Sequence, residues 1–379
     1  MIKELHIKNY KSLKDLKLEL SRRNVLVGPN MSGKSNIIDY FKFLTQMCIF
    51  GVNTAFMNRG GFLEVLWKGE DEGPISFRLV IEIDGKEYEY EISITVSPVN
   101  SSLLSIIKES LIVKTKDRVY TLIDLTNGQG KVTHADGSPA FHPTSSAVSA
   151  LEFAVPGWEG MVLKNYISTW RYYHLLPARM KAPNAAVAQQ FLQEDGENFS
   201  SWFMTFQTRY PAEFRLIKQV AKDVFPELEE ILTPPTQFAT TYVSTTEKHL
   251  KREVPLWQMS DGEIVFLAWL SLIFSPLGAP LFCIEELENH LHPKLLETLV
   301  EVLNQRQKEL GMHAAQIIAT THSPYLVDKV NLDELIVIEK SNGVTICTRP
   351  SSKTHLKELL EREELGLGEL WYSGALSGN

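Results

Sequence analysis

The chain has 379 residues, of which 44% are hydrophobic and 22% are charged. This is the composition of a globular protein with ample apolar material for a core, and the formal net charge of −8 argues against a broad, non-specific nucleic-acid surface. The amino terminus has no apolar signal-peptide core, and Cys48, Cys283 and Cys347 lie in apolar patterns typical of buried residues, so we expect a cytoplasmic protein.

The first elements in chain order are two alternating strands, a short buried strand and a helix. IKELHIKN and LKLEL alternate with period two, NVLVG has the pattern of a buried strand, and SNIIDYFKFLTQMCIF has helical spacing. The lysines of the first two strands are the nearest candidate for a face that contacts DNA. Lysines that protect an edge strand from further pairing explain them more simply.

The loop before this helix, GPNMSGKS, matches the phosphate-binding pattern G-x-x-x-x-G-K-[ST]. Its glycines allow backbone N–H groups to surround the phosphates, Lys34 reaches the β- and γ-phosphates, and Ser35 offers a hydroxyl to Mg²⁺. Because a strand precedes the loop and a helix follows it, we predict a site for ATP and Mg²⁺. The predicted nucleotide-binding residues of this segment are Gly28, Pro29, Asn30, Met31, Ser32, Gly33, Lys34, Ser35 and Asn36.

The next part of the chain indicates an antiparallel sheet and then helices. ISFRLVIEIDGKEYEYEISITV predicts a hairpin with Asp84 and Gly85 at its turn, and SLIVKT and VYTLIDL continue the sheet. From about 145 to 235 the pattern is helical, and its prolines exclude a long coiled coil.

After residue 250 helices and strands alternate, which predicts right-handed crossovers and a parallel sheet. The predicted elements are helix 262–274, strand 280–285, helix 293–310, strand 315–320, helix 323–330 and strand 334–339. The apolar window 264–284 is long enough to span a bilayer. SPLGAP divides it into a helix and a strand, so we expect no membrane span.

Two interpretations fit QMSDGE, at the start of the helix predicted from residue 262. Ser260 or Asp261 as the N-cap, with Glu263 in the first turn, explains these residues completely. The same helix start is also a potential anion site, because its free N–H groups and the positive end of its dipole face outward.

Two acids follow the strand in PLFCIEELENHLHP. Glu285 and Glu286 come directly after the apolar residues, where the carboxyl edge of a parallel sheet should meet the phosphates. One acid can hold Mg²⁺ and the next can orient or deprotonate the attacking water, so we assign the metal to Glu285 and the base to Glu286. A loop before the next helix explains His290 and His292 more simply than a zinc site does.

A histidine, His322, follows the next buried strand in QIIATTHSPYLVD. An isolated histidine at this place would be a capping or core residue. Because it comes after an acid-tipped strand and a crossover helix, we predict that it contacts the γ-phosphate. The predicted catalytic residues are Lys34, Glu286 and His322.

Four segments occur in a recognisable order: GPNMSGKSN, MSDGE, FCIEELENHLHP and ATTHSPYLV. With them the chain resembles the ABC-type ATPase heads of the RecF, SMC and OLD groups, specifically the small stand-alone predicted AAA-family ATPases related to them. The resemblance covers the N-terminal quarter and residues ~250–340, and RGGFLEVLW, LQEDGENFSSWF and LGLGELWYSGALSGN also look like those ATPases.

The resemblance implies a P-loop NTPase fold of ABC-ATPase head type. Its α/β architecture has a mixed sheet core, an N-terminal antiparallel subsheet and a helical insertion. We place an N-terminal ATPase lobe at 1–144, the mainly helical insertion at 145–240 and a C-terminal ATPase lobe at 241–379.

The resemblance also implies a partner. In these families the serine-glycine signature of one head closes over ATP held by the P-loop of another, and the histidine after the last motif strand is a switch. Ser260, Gly262 and Glu263 are therefore expected to contact ATP bound by a second copy of the chain, in a homodimer or a higher oligomer.

The sequence departs from the family at several points. Glu285 stands where the family usually has Asp, so its contact with Mg²⁺ is expected to be more remote or water-mediated. Asp261 replaces a glycine common in transporter signatures, and no Q-loop is assigned, because Gln46 lies in the P-loop helix. About forty residues follow strand 334–339, too few for the Toprim nuclease of OLD proteins, so we expect any nuclease to be a separate protein.

Two functions fit these observations. The first is an ATP-hydrolysing head that dimerises head-to-tail around ATP in DNA maintenance, DNA repair or phage defence, with DNA and a separate effector protein as candidate partners. The second is a nucleotide-gated scaffold with slow hydrolysis and no direct action on DNA. An ABC transporter subunit needs a much shorter spacing between P-loop and signature, and a P-loop kinase explains neither MSDGE nor His322.

Overall fold

The computed structural model describes residues 1–70, 72–96, 103–142, 145–350 and 366–372. The chain forms two compact units, of which the first comprises Met1–Trp170, Gln316–His322 and Asn331–Asn379, and the second comprises Arg171–Ala315 and Ser323–Val330. The division into 1–144, 145–240 and 241–379 follows chain order and remains a prediction. Of the family-like segment LGLGELWYSGALSGN, residues 365 and 373–379 lie outside the described residues.

The bounds of the elements follow in chain order. The strands are β1 Ile2–Tyr10, β2 Leu13–Glu19, β3 Arg23–Val27, β4 Ile75–Ile83, β5 Lys86–Val96, β6 Leu104–Lys114, β7 Val119–Thr126, β8 Gln129–Thr133, β9 Pro139–Phe141, β10 Arg171–Tyr173, β11 Asn184–Ala185, β12 Leu228–Leu232, β13 Thr240–Thr241, β14 Ser244–Glu247, β15 Val254–Pro255, β16 Leu281–Ile284, β17 Gln316–Thr321, β18 Leu335–Ser341 and β19 Val344–Thr348. The α-helices are α1 Lys34–Phe50, α2 Val52–Met57, α3 Phe62–Val65, α4 Gly160–Ser168, α5 Pro177–Met180, α6 Phe199–Arg209, α7 Pro211–Val224, α8 Asp261–Ile273, α9 Pro293–Leu310, α10 Pro324–Asp328 and α11 Leu367–Tyr372.

An antiparallel sheet dominates the first unit, with strand order β2-β1-β4-β5-β6-β7-β8-β9. The β4–β5 hairpin turns at Asp84 and Gly85, whose φ angles are 49° and 73°. Positive φ at both central residues is what a two-residue turn needs to match the twist of its strands. The predicted hairpin and the N-terminal antiparallel subsheet are confirmed.

A second sheet of the first unit carries the P-loop. β17 and β18 run parallel to β3 on either side of it, and β19 pairs antiparallel with β18. Thr321 pairs with Val27, and both are the last residues of their strands. The residues that follow, His322 and Gly28, therefore begin at adjacent strand ends, and the predicted parallel arrangement is confirmed here.

Aromatic packing fixes α1 against the antiparallel sheet of the same unit. The Tyr10 ring of β1 lies 5.7 Å from that of Phe43 on α1 and 5.6 Å from that of Phe77 on β4, in edge-to-face contacts. All three side chains are fully buried. Such contacts add to the hydrophobic burial and hold the helix that follows the P-loop in one place.

The second unit contains the first part of the predicted helix–strand alternation, namely α8, β16 and α9. β10 and β16 are parallel, and β12, β14 and β15 form a small antiparallel sheet. The Trp202 indole of α6 donates a 2.9 Å hydrogen bond to the Ser271 hydroxyl of α8, and both side chains are buried. α8 ends before β16 begins, so the window 264–284 is divided as predicted.

The structure also bears on the expected absence of a membrane span and on the expected burial of the three cysteines. Across the described residues we find no helix with both the length and the apolar character to cross a bilayer. Cys48 and Cys283 are buried as predicted, whereas Cys347 on β19 is partly exposed.

A charged network lies under the β1–β2 turn of the first unit. The Arg59 guanidinium donates 3.0 Å hydrogen bonds to both carboxylate oxygens of Asp39 and a 2.6 Å bond to Gln46. Lys11 and Tyr10 also contact Asp39, each at 2.6 Å. Burial by itself raises the pKa of Asp39, but Arg59, Lys11 and Tyr10 together bring it below its ordinary value. The Gln46 side-chain oxygen thus accepts its hydrogen bond from Arg59.

Asp39→Asn is expected to lower the free energy of unfolding at pH 7 by about 3 kcal/mol, because it leaves the Arg59 charge buried without its carboxylate. A depressed folded pKa stabilises above the unfolded pKa of about 3.9, and this contribution is lost as the pH falls through the folded value. Urea unfolding at pH 7 and pH 3 should therefore show a difference between variant and parent that narrows in acid.

The control for this prediction is Asp15→Asn, which removes an exposed carboxylate that pairs with His6. Exposed ion pairs contribute less than about 1 kcal/mol. Equal losses of stability in the Asp39 and Asp15 variants would contradict the role assigned to the Arg59 network.

Candidate nucleotide-binding site

The P-loop follows β3, and its glycines are required by close neighbours. A Cβ on Gly28 would lie 2.1 Å from the carbonyl oxygen of Ile338. A Cβ on Gly33, whose φ is +109°, would lie 2.1 Å from the Thr345 hydroxyl. Larger residues fit neither position, so the glycine spacing of the motif follows from sterics as well as from the space a phosphate needs.

Lys34 begins α1 with a buried side chain. Its ammonium donates hydrogen bonds to the carbonyl oxygens of Gly28 and Pro29, at 2.8 and 3.0 Å. These bonds place the ammonium inside the curve of the loop. Ser35, the predicted Mg²⁺ ligand, is exposed next to it.

Two side chains outside the P-loop motif, Ser12 and Thr345, hold the loop. Asn36 donates to the Ser12 hydroxyl at 2.7 Å, Ser12 and Thr345 share a 2.6 Å hydrogen bond, and Thr345 donates to the Ser32 carbonyl at 2.9 Å. The Thr345 hydroxyl has one proton, and it donates that proton to the Ser32 carbonyl. Ser12 must therefore be the donor in its hydrogen bond with Thr345. A directed chain of hydrogen bonds therefore joins the β1–β2 turn and β19 to the P-loop.

The loop fits an anion such as a phosphate group. The Ser32 side chain is 1% exposed, and its hydroxyl has no hydrogen-bond partner among the described residues. A buried hydroxyl without a partner is costly, and an acceptor oxygen would satisfy it. Met31 has a φ of 65° and a side chain that is 85% exposed, so its backbone, not its side chain, shapes the loop.

A cavity of about 480 Å³ opens beside the P-loop within the first unit. Ser12, Asn36, Trp67 and Gly343 are among its lining residues. The Lys14 ammonium lies 4.1 Å from the centre of the Trp67 ring, a cation–π contact that holds the indole in place.

The predicted catalytic histidine, His322, lies directly after the pair Thr321 and Val27 and is partly buried. Within the first unit the structure thus brings His322 to the strand end next to the one that leads into the P-loop. Its contact with a γ-phosphate remains a prediction.

The acidic pair lies in the second unit. The Glu285 N–H donates to the Tyr173 carbonyl at 2.9 Å, which continues the β10–β16 pairing by one residue. Glu286 has a φ of 53° and accepts a hydrogen bond from the Asn289 amide. Both acids follow the end of β16, as predicted, and their side chains are partly buried. Ser35 and Glu285 belong to different units, and their shared Mg²⁺ remains a prediction.

The start of α8 is a closed capping box. The Ser260 hydroxyl accepts from the Glu263 N–H at 3.2 Å and donates to the Glu263 carboxylate at 2.8 Å, and the Ser260 N–H donates to the same carboxylate at 3.0 Å. The N-cap interpretation is therefore confirmed. A Cβ on Gly262 would lie 2.9 Å from the His290 carbonyl, so this helix start packs on the loop after Glu286.

Sequence families match both halves of the chain. Residues 146–328 match the family described as AAA domain, putative AbiEii toxin, Type IV TA system, and residues 1–130 match the AAA ATPase domain family. A comparison with curated proteins found no match.

Solved structures of SMC heads are similar to the chain. The SmcHead bound to the C-winged helix domain of ScpA is 16% identical, with a TM-score of 0.56 over 93% of this chain and 99% of that one. The Smc head domain with an extended coiled coil, bound to the C-terminal domain of ScpA and derived from Pyrococcus furiosus, is 14% identical, with a TM-score of 0.51 over 95% of this chain and 99% of that one.

The P-loop lies between a parallel strand and a buried helix, and the chain has the fold of an SMC head. Residues 1–130 and 146–328 are similar to AAA-type ATPase domain families. The resemblance and the ABC-ATPase head fold predicted from the sequence are confirmed.

Proposed function

We propose that the protein binds ATP with Mg²⁺ at the P-loop, hydrolyses it, and dimerises head-to-tail so that Ser260, Gly262 and Glu263 of one copy contact ATP held by the other. The observation that carries this proposal is the P-loop itself, with the buried Ser32 hydroxyl left without a partner among the described residues. The AAA-type family matches support ATP as the ligand.

Each predicted site residue has one role in the proposed binding and hydrolysis of ATP. Backbone N–H groups of the loop and the Lys34 ammonium bind the phosphates. Ser35 and Glu285 would hold Mg²⁺, which neutralises phosphate charge when bound. Glu286 orients or deprotonates the attacking water, and His322 contacts the γ-phosphate side of the site.

The cavity beside the P-loop supports a nucleoside as the other end of the ligand. It adjoins Asn36, which follows the predicted Mg²⁺ ligand, and Trp67 is among its lining residues. Ser12 lines the cavity, and through Thr345 it also holds the P-loop in place. The same residue would therefore lie close to the nucleoside and support the loop that binds the phosphates.

Lys34→Ala is expected to weaken ATP binding by about 1.5–3 kcal/mol, roughly ten- to a hundredfold in Kd, because it removes charge-assisted contacts to phosphate. A titration with a fluorescent ATP analogue measures the affinity, and a thermal melt checks that losing the bonds to Gly28 and Pro29 leaves the chain folded. Lys17→Ala, an exposed lysine on β2, is the matched control. Unchanged affinity in a folded Lys34→Ala protein would contradict the P-loop assignment.

We further propose that the ATPase acts in DNA maintenance, repair or phage defence with a separate effector. The SMC-head fold and the family description as a putative toxin of a type IV system support this role. The alternative is a nucleotide-gated scaffold. The formal net charge of −8 favours it, because a negative chain is a poor match for DNA. DNA binding that is promoted by ATP and weakens steeply with salt would support the first role, and its absence at low salt would support the second.

A further inference from the structure

The start of α8 contains a charge that works against the proposed contact with ATP. Asp261 is the first residue of the helix, directly between Ser260 and Gly262. Its side chain is 48% exposed. An unscreened carboxylate beside a site for phosphate would repel it, and such like-charge contacts in an interface are costly.

The structure shows how this carboxylate is held. One oxygen of Asp261 lies 2.6 Å from the Lys181 ammonium, and the other lies 3.8 Å from Nδ1 of His290. The ammonium is the closer of the two partners. Lys181 therefore neutralises Asp261 and restricts its rotamer.

Lys181 is itself anchored in the second unit. It directly follows α5, its N–H donates to the Pro177 carbonyl at 3.1 Å, and the preceding Met180 is fully buried. Gly262 packs so closely on the His290 carbonyl that a Cβ added at this position would lie 2.9 Å from its oxygen, and this close packing limits movement on the other side of the turn. Lys181 and His290, which are distant from each other in sequence, thus hold the Asp261 carboxylate in place.

We propose that Lys181 is a positioning residue for the nucleotide-facing turn Ser260–Glu263: it masks the Asp261 carboxylate so that the helix start can approach a phosphate of ATP bound to a second copy. This inference rests on the proposed head-to-tail dimer. Lys181 acts through Asp261 and does not contact the phosphate itself.

The test is a double-mutant cycle of Lys181→Met and Asp261→Asn, with ATP-dependent dimerisation followed by light scattering. Lys181→Met is expected to raise the ATP concentration for half-maximal dimerisation by at least about tenfold, because the carboxylate is then unmasked. In the Asp261→Asn background the same substitution should have little effect, because no charge is left to mask. Lys181→Arg, which keeps the positive charge, should behave like the parent.

Further readouts separate masking from other roles. ATP affinity of the monomer and the melting temperature should not change with Lys181→Met, and steady-state kinetics should show a raised KM with a smaller change in kcat. An effect of Lys181→Met that persists in the Asp261→Asn background would overturn masking in favour of a direct phosphate contact. Parent-like dimerisation of Lys181→Met would overturn the inference alone, whereas a parent protein that does not dimerise with ATP would overturn the proposed function as well.

Discussion

Glu286→Gln is expected to bind ATP with the parental affinity and to hydrolyse it about 10²–10⁴ times more slowly. Glutamine keeps the shape of the side chain and a carbonyl oxygen that can still accept the hydrogen bond from Asn289. It loses the carboxylate that we propose as the base for the attacking water. The variant should therefore accumulate as an ATP-bound dimer, visible by size-exclusion chromatography with light scattering and by phosphate release in a single turnover.

Two neighbouring acids provide the controls for this prediction. Glu285 precedes Glu286 at the end of β16, and Glu288 follows it in the same loop. Glu285→Gln should change the Mg²⁺ dependence of turnover, and Glu288→Gln should leave the chemical step nearly intact. A Glu286→Gln protein that turns over ATP at the parental rate would transfer the role of the base to one of these two residues.

The sequence predicted those parts of the fold whose signals are local. The predicted helix 293–310 has the observed bounds, and the helix predicted at 262–274 begins one residue earlier because Ser260 caps it. Apolar periodicity and capping residues act within a few positions, so they fix such elements without knowledge of the rest of the chain. The P-loop was predictable for the same reason, since its eight residues are consecutive.

Residues that act over long distances in the chain were not predictable. Thr345 contacts Ser12 and the Ser32 carbonyl, more than 300 residues earlier, and an ordinary threonine in a strand gives no signal of such a contact. The pairing of Lys181 with Asp261 is similar, because the lysine lies in a helical and proline-rich stretch. Only the fold brings these side chains together.

The chain of hydrogen bonds from Asn36 through Ser12 and Thr345 has a consequence for binding. It fixes the Ser32 carbonyl, and Gly33 packs directly on Thr345. A loop that is already ordered loses little conformational entropy when it binds phosphate. The support around the P-loop would therefore add to the affinity for the proposed phosphate ligand.

The confirmed N-cap role of Ser260 determines how its proposed second role must be tested. Aspartate caps a helix as well as serine does, but here the Ser260 hydroxyl also donates to the Glu263 carboxylate. An aspartate at this position would face that carboxylate within one chain. Glu263→Gln removes this conflict, because glutamine also completes a capping box and its amide can donate.

The matched comparison is therefore Ser260→Asp with Glu263→Gln against Glu263→Gln alone. If Ser260 closes over the γ-phosphate of a second copy, the added aspartate should abolish ATP-driven dimerisation and turnover while monomer folding and ATP binding survive, because it places two negative charges in a desolvated interface. If Ser260 is only a cap, both proteins should dimerise and hydrolyse ATP equally. Equal behaviour would end the proposal that this turn contacts a second copy.

Mixing provides the decisive measurement. A heterodimer of the Ser260→Asp, Glu263→Gln chain with a Lys34→Ala chain has one site with an intact P-loop and an intact signature, and one site with both defects. Because neither variant chain is expected to dimerise with itself around ATP, the dimers in an equimolar mixture should be heterodimers with one active site each, and the mixture should regain up to about half of the parental ATPase activity if each site works alone. No recovery in a mixture shown to contain heterodimers would mean that hydrolysis needs two occupied sites, whereas recovery above the sum of the separate chains requires that the signature acts on ATP bound by the other copy.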